Sequence, residues 1–282
     1  MSWLAFVLVC VAFTAVTRLA QRALLGKDKV DPIAFSILFQ TFTGLFVLLF
    51  ALINGFSFPD FEKYWPAIIS TVVLFGLGNI ALAKSLQTVE ASVFSVLFAT
   101  SVIWIMLCGV LFFGESLSLL HLTGALLTFV SVIFLVEKKG KFQFDRGVLL
   151  GLLSALLIGL AIIGWVYVGR RSEPISWNAI TFLAPAAINA LLFPQALSKT
   201  KNLLSGPNFL KLLLASSTFA VSTITLLYAY KYGEITQVAP LQQTTIIVTV
   251  LLAVIFLKET KNLTHKIISA FICFVGVLMI VS

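Results

Sequence analysis

The residues of this chain that could do chemistry are polar side chains placed inside long apolar stretches. Gln242 and Thr245 lie in an apolar run from about residue 236 to 257, at a spacing that puts both on one face of a helix, with Gln243 on another. Amide and hydroxyl groups near the middle of such a helix could hydrogen-bond a solute. They could equally bond a neighbouring helix and stabilise packing. Gln242 is the strongest single candidate for contact with a solute.

Further candidates lie in other apolar stretches and carry a polar or aromatic group. Asn79 follows Gly76 and Gly78, which would let another helix approach closely. Aromatic faces could stack on a flat or cationic solute. The predicted binding residues are Gln242, Thr245, Asn79, Thr100, Trp104, Trp165, Tyr228 and Arg18.

Arg18 carries a charge well inside the first apolar stretch, with Arg22 one helical turn later on the same side. Charges within a membrane are costly and usually functional. The interpretation we favour is that both arginines extend along the helix to lipid headgroups, because the first stretch is expected to end on the cytoplasmic side. Trp3, Trp65 and Trp177 lie near the ends of apolar stretches and fit the role of interfacial anchors.

The composition identifies the class of protein to which these residues belong. Of 282 residues, 60% are hydrophobic and only 11% are charged, against about 45–50% and roughly 25% in soluble domains. The sequence therefore predicts an all-α integral membrane protein. Its net charge of +8 then reports orientation and lipid contact, and no nucleic-acid partner is expected.

Ten stretches are long enough to cross a bilayer, which takes about 20 apolar residues. Charges and turn formers such as Asn54-Gly55 and Arg170-Arg171 separate them. The predicted transmembrane helices are approximately 3–25, 33–53, 66–86, 90–113, 119–136, 147–169, 177–197, 209–230, 236–257 and 263–281.

An internal repeat relates the two halves of the chain. Residues 83–136 align with 227–280 at a constant offset of 144, and this offset pairs Glu90 with Glu234, Glu115 with Glu259 and His121 with His265. We therefore predict two five-helix repeats, residues 1–140 and 141–282. A stripe of small residues in the sixth stretch, Gly147, Gly151, Ala155 and Gly159, predicts close packing between the halves.

Five helices in each half would place the second repeat upside down relative to the first, and the distribution of basic residues agrees with this. Loops and helix ends after the odd-numbered spans hold 15 of the 19 Lys and Arg residues. The positive-inside rule then places these loops in the cytoplasm and both termini outside. Inverted repeats are typical of secondary transporters, which bind substrate near the midplane between the halves.

These features resemble the EamA-type members of the drug/metabolite transporter superfamily. The resemblance rests on the 5 + 5 layout, on Glu90-Ala-Ser-Val93 followed by Gly114-Glu115, and on the repeated layout from Gly233-Glu234 to Lys258-Glu259. It implies an alternating-access carrier in the cell membrane, commonly an exporter of amino acids, other metabolites or drugs. It also implies a cavity lined mainly by helices 1, 3, 4, 6, 8 and 9, and a structural role for Glu115 and Glu259 at helix ends. We expect a monomeric carrier that needs no cofactor.

The main alternative is an intramembrane enzyme or a lipid-handling membrane protein. The sequence contains no His-Glu-x-x-His, no Gly-x-Ser-x-Gly and no ATP-binding Gly-x-x-x-x-Gly-Lys-[Ser/Thr]. We therefore predict no catalytic and no metal-ligating residues. No Asp or Glu lies near the middle of any predicted span. This favours a facilitator, or coupling through Glu90 or Glu234 at helix starts.

Overall fold

The computed structural model describes residues 3–26, 30–105, 118–138, 141–142, 145–232, 238, 241–242, 244–260 and 262–281. Apart from a two-residue antiparallel pairing of Glu137–Lys138 with Lys141–Phe142, the regular structure of this part is helical. The main helices are α1 Trp3–Leu25, α2 Pro32–Asn54, α3 Phe61–Thr88, α4 Ala91–Ala99, α5 Leu119–Val136, α6 Arg146–Gly169, α7 Pro174–Leu192, α8 Gly206–Tyr232, α9 Thr245–Leu257 and α10 Leu263–Val281.

Six of the described helices, namely α1, α2, α3, α6, α7 and α8, are long and apolar enough to cross a membrane. Shorter apolar helices stand at the other predicted positions, including one that continues α4 to Ile105. Large side chains such as Ile53, which is 82% exposed, and Leu126 lie on the outside of the bundle. A lipid environment explains this exposure, because apolar side chains facing hydrocarbon need no protein cover.

Acidic residues define where several helices begin. The side chain of Asp31 accepts the backbone N–H groups of Ile33 and Ala34 at 3.0 Å, and Asp145 accepts that of Val148 at 2.9 Å. Such N-caps satisfy donors that the first helical turn leaves free. Asp60 caps α3 in the same way, so this helix begins at Phe61 and not at the predicted residue 66. Hydropathy missed its first turn because that turn contains Glu62 and Lys63.

The helices run between two ends of the bundle. At one end Phe6 of α1 stacks on Tyr232, the last residue of α8, with ring centroids 6.2 Å apart. At the other, Arg22 near the end of α1 lies beside Glu259, which follows α9. We call these the Tyr232 end and the Glu259 end. Arg22 also donates to the carbonyl of Gln87 at the end of α3, and Gly147 at the start of α6 packs on the adjacent Thr88. The helix α6 therefore begins at the end where α1 finishes.

The most extensive helix pairings join the first five helices to the last five. They are α3 with α6, α1 with α8, α5 with α10 and α2 with α7. The α3–α6 and α4–α6 contacts are close because α6 presents glycine there. A methyl group at Gly159 would lie only 2.9 Å from the Ser101 carbonyl oxygen and 3.3 Å from the Trp104 Cβ. The predicted packing role of the small-residue stripe is thus confirmed at Gly147 and Gly159.

The fourth helix of each half, α4 or α9, is interrupted at the same place. α4 ends at Ala99, turns at Thr100 and resumes as helix to Ile105. In the second half Leu241 and Gln242 are helical, Thr244 forms a turn and α9 follows. Each threonine donates its hydroxyl to the carbonyl three residues earlier, Leu97 or Leu241, at 2.7 Å. Thr100 and Thr244 are partners at the offset of 144.

Candidate functional site

A central cavity of about 120 Å³ lies between the two halves. Residues from α1, α2, α3, α6, α7 and α8 contribute to its wall, together with the segment that carries Gln242 and a residue of α4. The lining residues are Thr14, Arg18, Gln21, Phe39, Phe75, Asn79, Leu82, Phe98, Ile158, Ile162, Trp165, Thr181, Phe182, Phe219, Ser222, Thr223, Leu226 and Gln242.

Half of the predicted binding residues come together in this cavity. Arg18, Asn79, Trp165 and Gln242 lie far apart in sequence, and all four line its wall. Asn79 donates one N–H of its side-chain amide to the carbonyl of Phe75 in its own helix at 2.9 Å, which leaves its amide oxygen and its second N–H available to a ligand.

The other predicted residues are not among the lining residues of the central cavity. The hydroxyls of Thr100 and Thr245 donate to carbonyls of their own segments, those of Leu97 and Gln242. Trp104 packs beside Gly159. Tyr228 stacks on Phe6 and Tyr232, with centroids 5.6 and 6.2 Å away, and therefore lies toward the Tyr232 end.

Arg18 is buried inside the protein, with only 8% of its surface exposed. Its guanidinium donates one hydrogen bond, to Gln21 Oε1 at 3.3 Å. It also lies over two rings of α4, 5.0 Å from the centroid of Phe94 and 4.7 Å from that of Phe98. The side chain therefore points to α4 and does not extend to lipid headgroups.

Hydroxyl groups join α1 to α8 beside the cavity. Thr14 and Ser222 share a short hydrogen bond, and Thr17 meets Thr218 at 2.8 Å. Thr14, Gln21, Thr181 and Thr223 of the cavity wall were not predicted as site residues. Thr14 and Gln21 had a usable signal, because both lie within four residues of Arg18 and face the same side of α1.

A larger cavity of about 650 Å³ lies at the Tyr232 end. Arg170, Lys231, Tyr230 and Tyr232 are among the residues that line it. Tyr230 donates a hydrogen bond to Gln242 Oε1 at 3.4 Å. Since Tyr230 lines the larger cavity and Gln242 lines the central one, this pair stands between the two cavities.

Buried ionic contacts join the helices at the Glu259 end. Glu259 is 6% exposed and accepts the backbone N–H groups of Ala91 and Ser92 at 3.0 and 3.1 Å, and the Ser92 hydroxyl at 2.6 Å. It therefore caps α4 of the other half, where the helix dipole favours a negative charge. Arg22 Nε lies 4.0 Å from its carboxylate.

The same cluster includes two further connections. Arg22 donates to the carbonyls of Leu86 and Gln87 at the end of α3, at 2.7 and 2.8 Å. Lys266 forms an ion pair with Glu90 and donates to the Glu259 carbonyl at 3.0 Å. We call Arg22, Glu90, Glu259 and Lys266 the ionic cluster. It ties α1, α3 and α4 to the segment between α9 and α10 and to the first turn of α10.

A separate ion pair crosses between the halves at this end. Lys199 lies 2.8 Å from Asp31, the N-cap of α2. Partial burial opposes the ionisation of Asp31, but the hydrogen bonds from Lys199, Ala34 and Ile33 and the charge of Lys199 outweigh it. The pKa of Asp31 is therefore below its usual value.

Trp177 corrects one prediction. Its side chain is completely buried, and its indole N–H donates to the Trp165 carbonyl at 2.9 Å. It therefore fixes the start of α7 against α6, next to a cavity residue, and is not an interfacial anchor. Position near a helix end suggested an anchor, but the neighbouring α6 covers the ring.

Comparison with known proteins decides the family. The sequence profile described as the EamA-like transporter family matches the chain twice, over residues 1–137 and 145–282. The chain belongs to the EamA-like transporter family. It is thus a multi-pass membrane transporter of the drug/metabolite transporter superfamily, and the resemblance inferred from the sequence is confirmed. At the level of the family this supports a transporter and not an enzyme.

The fold of this EamA-family chain is shared by known structures. A solved structure described only as a crystal structure of a protein is 19% identical, with a TM-score of 0.67 over 97% of this chain and 96% of its own. This likeness concerns the fold alone. No curated protein matched the chain significantly.

Proposed function

We propose that this EamA-family protein carries a small organic solute by alternating access through the central cavity. The observation that carries the proposal is the position of that cavity. It lies between the halves, with the larger cavity beyond the Tyr230–Gln242 hydrogen bond on one side and the ionic cluster at the opposite end. Such a midplane site between two repeats is what a secondary transporter requires.

The pattern of helix contacts supports two inverted repeats of five helices each, residues 1–140 and 141–282. Exchanging α1–α5 with α6–α10 converts the α1–α8 pairing into the α6–α3 pairing and leaves α2–α7 and α5–α10 unchanged. α1 ends and α6 begins at the Glu259 end, so the first helices of the two halves run in opposite directions. The proposed boundary at Gly140 lies outside the described residues.

The distribution of basic residues supports an orientation with the Glu259 end in the cytoplasm and both termini outside. The described conformation would then be closed to the cytoplasm by the ionic cluster. The solute would enter from the cytoplasm when this cluster separates, and would leave past Tyr230 and Gln242. We therefore propose export across the cell membrane by a monomeric carrier.

The lining of the central cavity supports a facilitator. Among the described residues, none that lines it is an Asp or Glu, so the wall offers no carboxylate that could exchange protons there. Glu90, the described acidic candidate for coupling, is held by Lys266. Glu234 lies outside the described residues.

Solute flux in proteoliposomes tests the proposal. We expect saturable flux of at least one member of a panel of small organic acids, amino acids, amides and amines. Gln242→Leu removes a polar group from the wall, and we expect KM to rise roughly fivefold, as loss of one hydrogen bond of about 1 kcal/mol would give. Gln40→Leu is the matched control, because Gln40 is buried, donates a hydrogen bond to Ser36 and does not line the cavity. Absence of saturable flux for the whole panel would refute the proposal.

A further inference from the structure

Arg18 differs from Arg22 and Lys266, the partly buried and buried basic residues of the ionic cluster. Lys266 pairs with Glu90, and Arg22 bonds two carbonyls and lies beside Glu259. Across the described part of the chain, by contrast, no Asp or Glu oxygen lies within 4.0 Å of Arg18. Its polar partner there is one amide oxygen, at 3.3 Å.

The unpaired charge lies on the wall of the central cavity. A guanidinium has five N–H donors in a fork that matches a carboxylate. One is used by Gln21, and the guanidinium carbon lies over the rings of Phe94 and Phe98, 5.0 and 4.7 Å from their centroids. An uncompensated charge at this depth costs several kcal/mol. An anionic ligand would compensate the charge of Arg18, and its binding free energy would be more favourable for that reason.

The rest of the wall decides between classes of ligand. Arg18 is its only charged residue among those described, and aromatic rings such as Phe75, Trp165 and Phe182 form much of the surface. A cationic solute would meet Arg18 with no carboxylate to compensate. The single guanidinium and the small volume of about 120 Å³ fit one carboxylate better than a doubly charged phosphate.

We propose that the central cavity binds a small organic monoanion, with its carboxylate on Arg18 and its apolar body against the aromatic wall. This inference rests on the proposed function, since it assigns the solute class of the same cavity. Gln21 orients the guanidinium by its hydrogen bond, and Phe94 and Phe98 of α4 stabilise its position by cation–π contact. The apolar body lies toward Trp165 and Phe182.

Binding of matched probes to the purified full chain tests this assignment. The probes are butyrate, butyramide and butylamine, with isobutyrate, isobutyramide and isobutylamine as a branched series, all small enough for a cavity of about 120 Å³. These compounds keep the body constant and change only the charged group. We expect each acid to bind at least tenfold more tightly than its amide, and the amines not to bind. Ligand-induced thermal shift and equilibrium binding are the readouts.

Two variants connect the preference to Arg18. Arg18→Gln should weaken acid binding at least tenfold and leave amide binding unchanged, whereas Arg18→Lys should keep part of the acid preference. Lys201→Gln is the control, because it removes one exposed positive charge far from the wall. If Arg18→Gln does not fold, the relative affinities of wild type and Arg18→Lys for acid, amide and amine still test the anion assignment.

The outcomes separate this inference from the transport proposal. Equal binding of acid, amide and amine, preference for the amine, or no binding of any probe would overturn the anion assignment. Saturable flux of an amine or amide would then leave the transport function intact. Tight acid binding without flux of any solute would support the assignment and count against transport.

Discussion

At the scale of single residues, the hydrogen bond between Tyr230 and Gln242 stands between the two cavities, and the proposed export route passes it. Its length of 3.4 Å is at the weak end of hydrogen-bond geometry. A weak contact suits a barrier that must open in every cycle, because only a small free energy has to be supplied.

Tyr230→Phe removes this hydrogen bond while keeping the ring. We expect solute association and dissociation rates at the central cavity to rise together by about fivefold, from a lost bond of about 1 kcal/mol, with little change in Kd. Stopped-flow binding measures both rates. Tyr228→Phe is the control, because the Tyr228 hydroxyl makes no hydrogen bond within the described residues and its ring stacks on Phe6 and Tyr232. Equal rates in wild type and Tyr230→Phe would contradict the role of the pair.

Glu259 is the residue on which most of the ionic cluster depends. Glu259→Gln keeps the shape but removes the charge that two N–H groups, a hydroxyl and Arg22 contact. We expect the free energy of unfolding to fall by about 2 kcal/mol, the size of one hydrogen bond to a charged group. Thermal unfolding in detergent measures this change. Glu62→Gln, at an exposed site in the first turn of α3, should leave stability unchanged, and a similar loss there would remove the special role of Glu259.

At the scale of helices, close packing of α6 on α3 and α4 depends on glycine. Gly159→Leu would force side-chain atoms into the Ser101 carbonyl and Trp104. We expect a loss of about 1–3 kcal/mol in the free energy of unfolding. Leu153→Phe on an exposed face of α6 is the control for added volume. Both variants can be compared by denaturant or thermal unfolding, and equal stabilities would show that α6 can move away without cost.

The N-terminus of α2 has a pH-dependent contact with the second half of the chain. Because the folded-state pKa of Asp31 is lowered, its contribution is present above the unfolded pKa of about 3.9 and is lost as pH falls through the folded value. Asp31→Asn keeps the N-cap but removes the charge. We expect wild type to be more stable by less than 1 kcal/mol at pH 7, since Lys199 is mostly exposed.

This stability difference should shrink as the pH is lowered below about 4. Thermal unfolding of both proteins across pH 3 to 7 measures it. A difference that stays constant over this range would show that the ion pair contributes nothing.

Sequence reasoning located the elements better than the side-chain contacts. Hydropathy located the six helices that are long and apolar enough to cross a membrane, α1, α2, α3, α6, α7 and α8, because lipid imposes a continuous apolar run. It could not assign Thr100 and Thr245, since a threonine can satisfy its hydroxyl within its own helix, as both do. Nor could it show that Glu259 caps α4 of the other half, because that contact depends on tertiary structure.

At the scale of the whole molecule, the proposed inversion of the two repeats makes a prediction about equivalent loops. Ser118 and Thr260 are exposed residues of corresponding loops in the two halves. In a cysteine-free background, we expect Ser118→Cys to react with a membrane-impermeant reagent from outside intact cells. Thr260→Cys should react only after the membrane is opened. Reaction of both from the same side would contradict the inversion.

The ionic cluster makes the two halves of the duplicated chain unequal. At the offset of 144, the partner of Lys266 is Leu122, so the Lys266–Glu90 ion pair has no lysine counterpart in the first copy. Two identical half-carriers would favour neither side of the membrane at rest. With this lysine in one copy alone, the ion pair stabilises the Glu259 end without a matching lysine at the equivalent position of the other half. In the proposed carrier, the conformation closed at the Glu259 end would therefore be the favoured one.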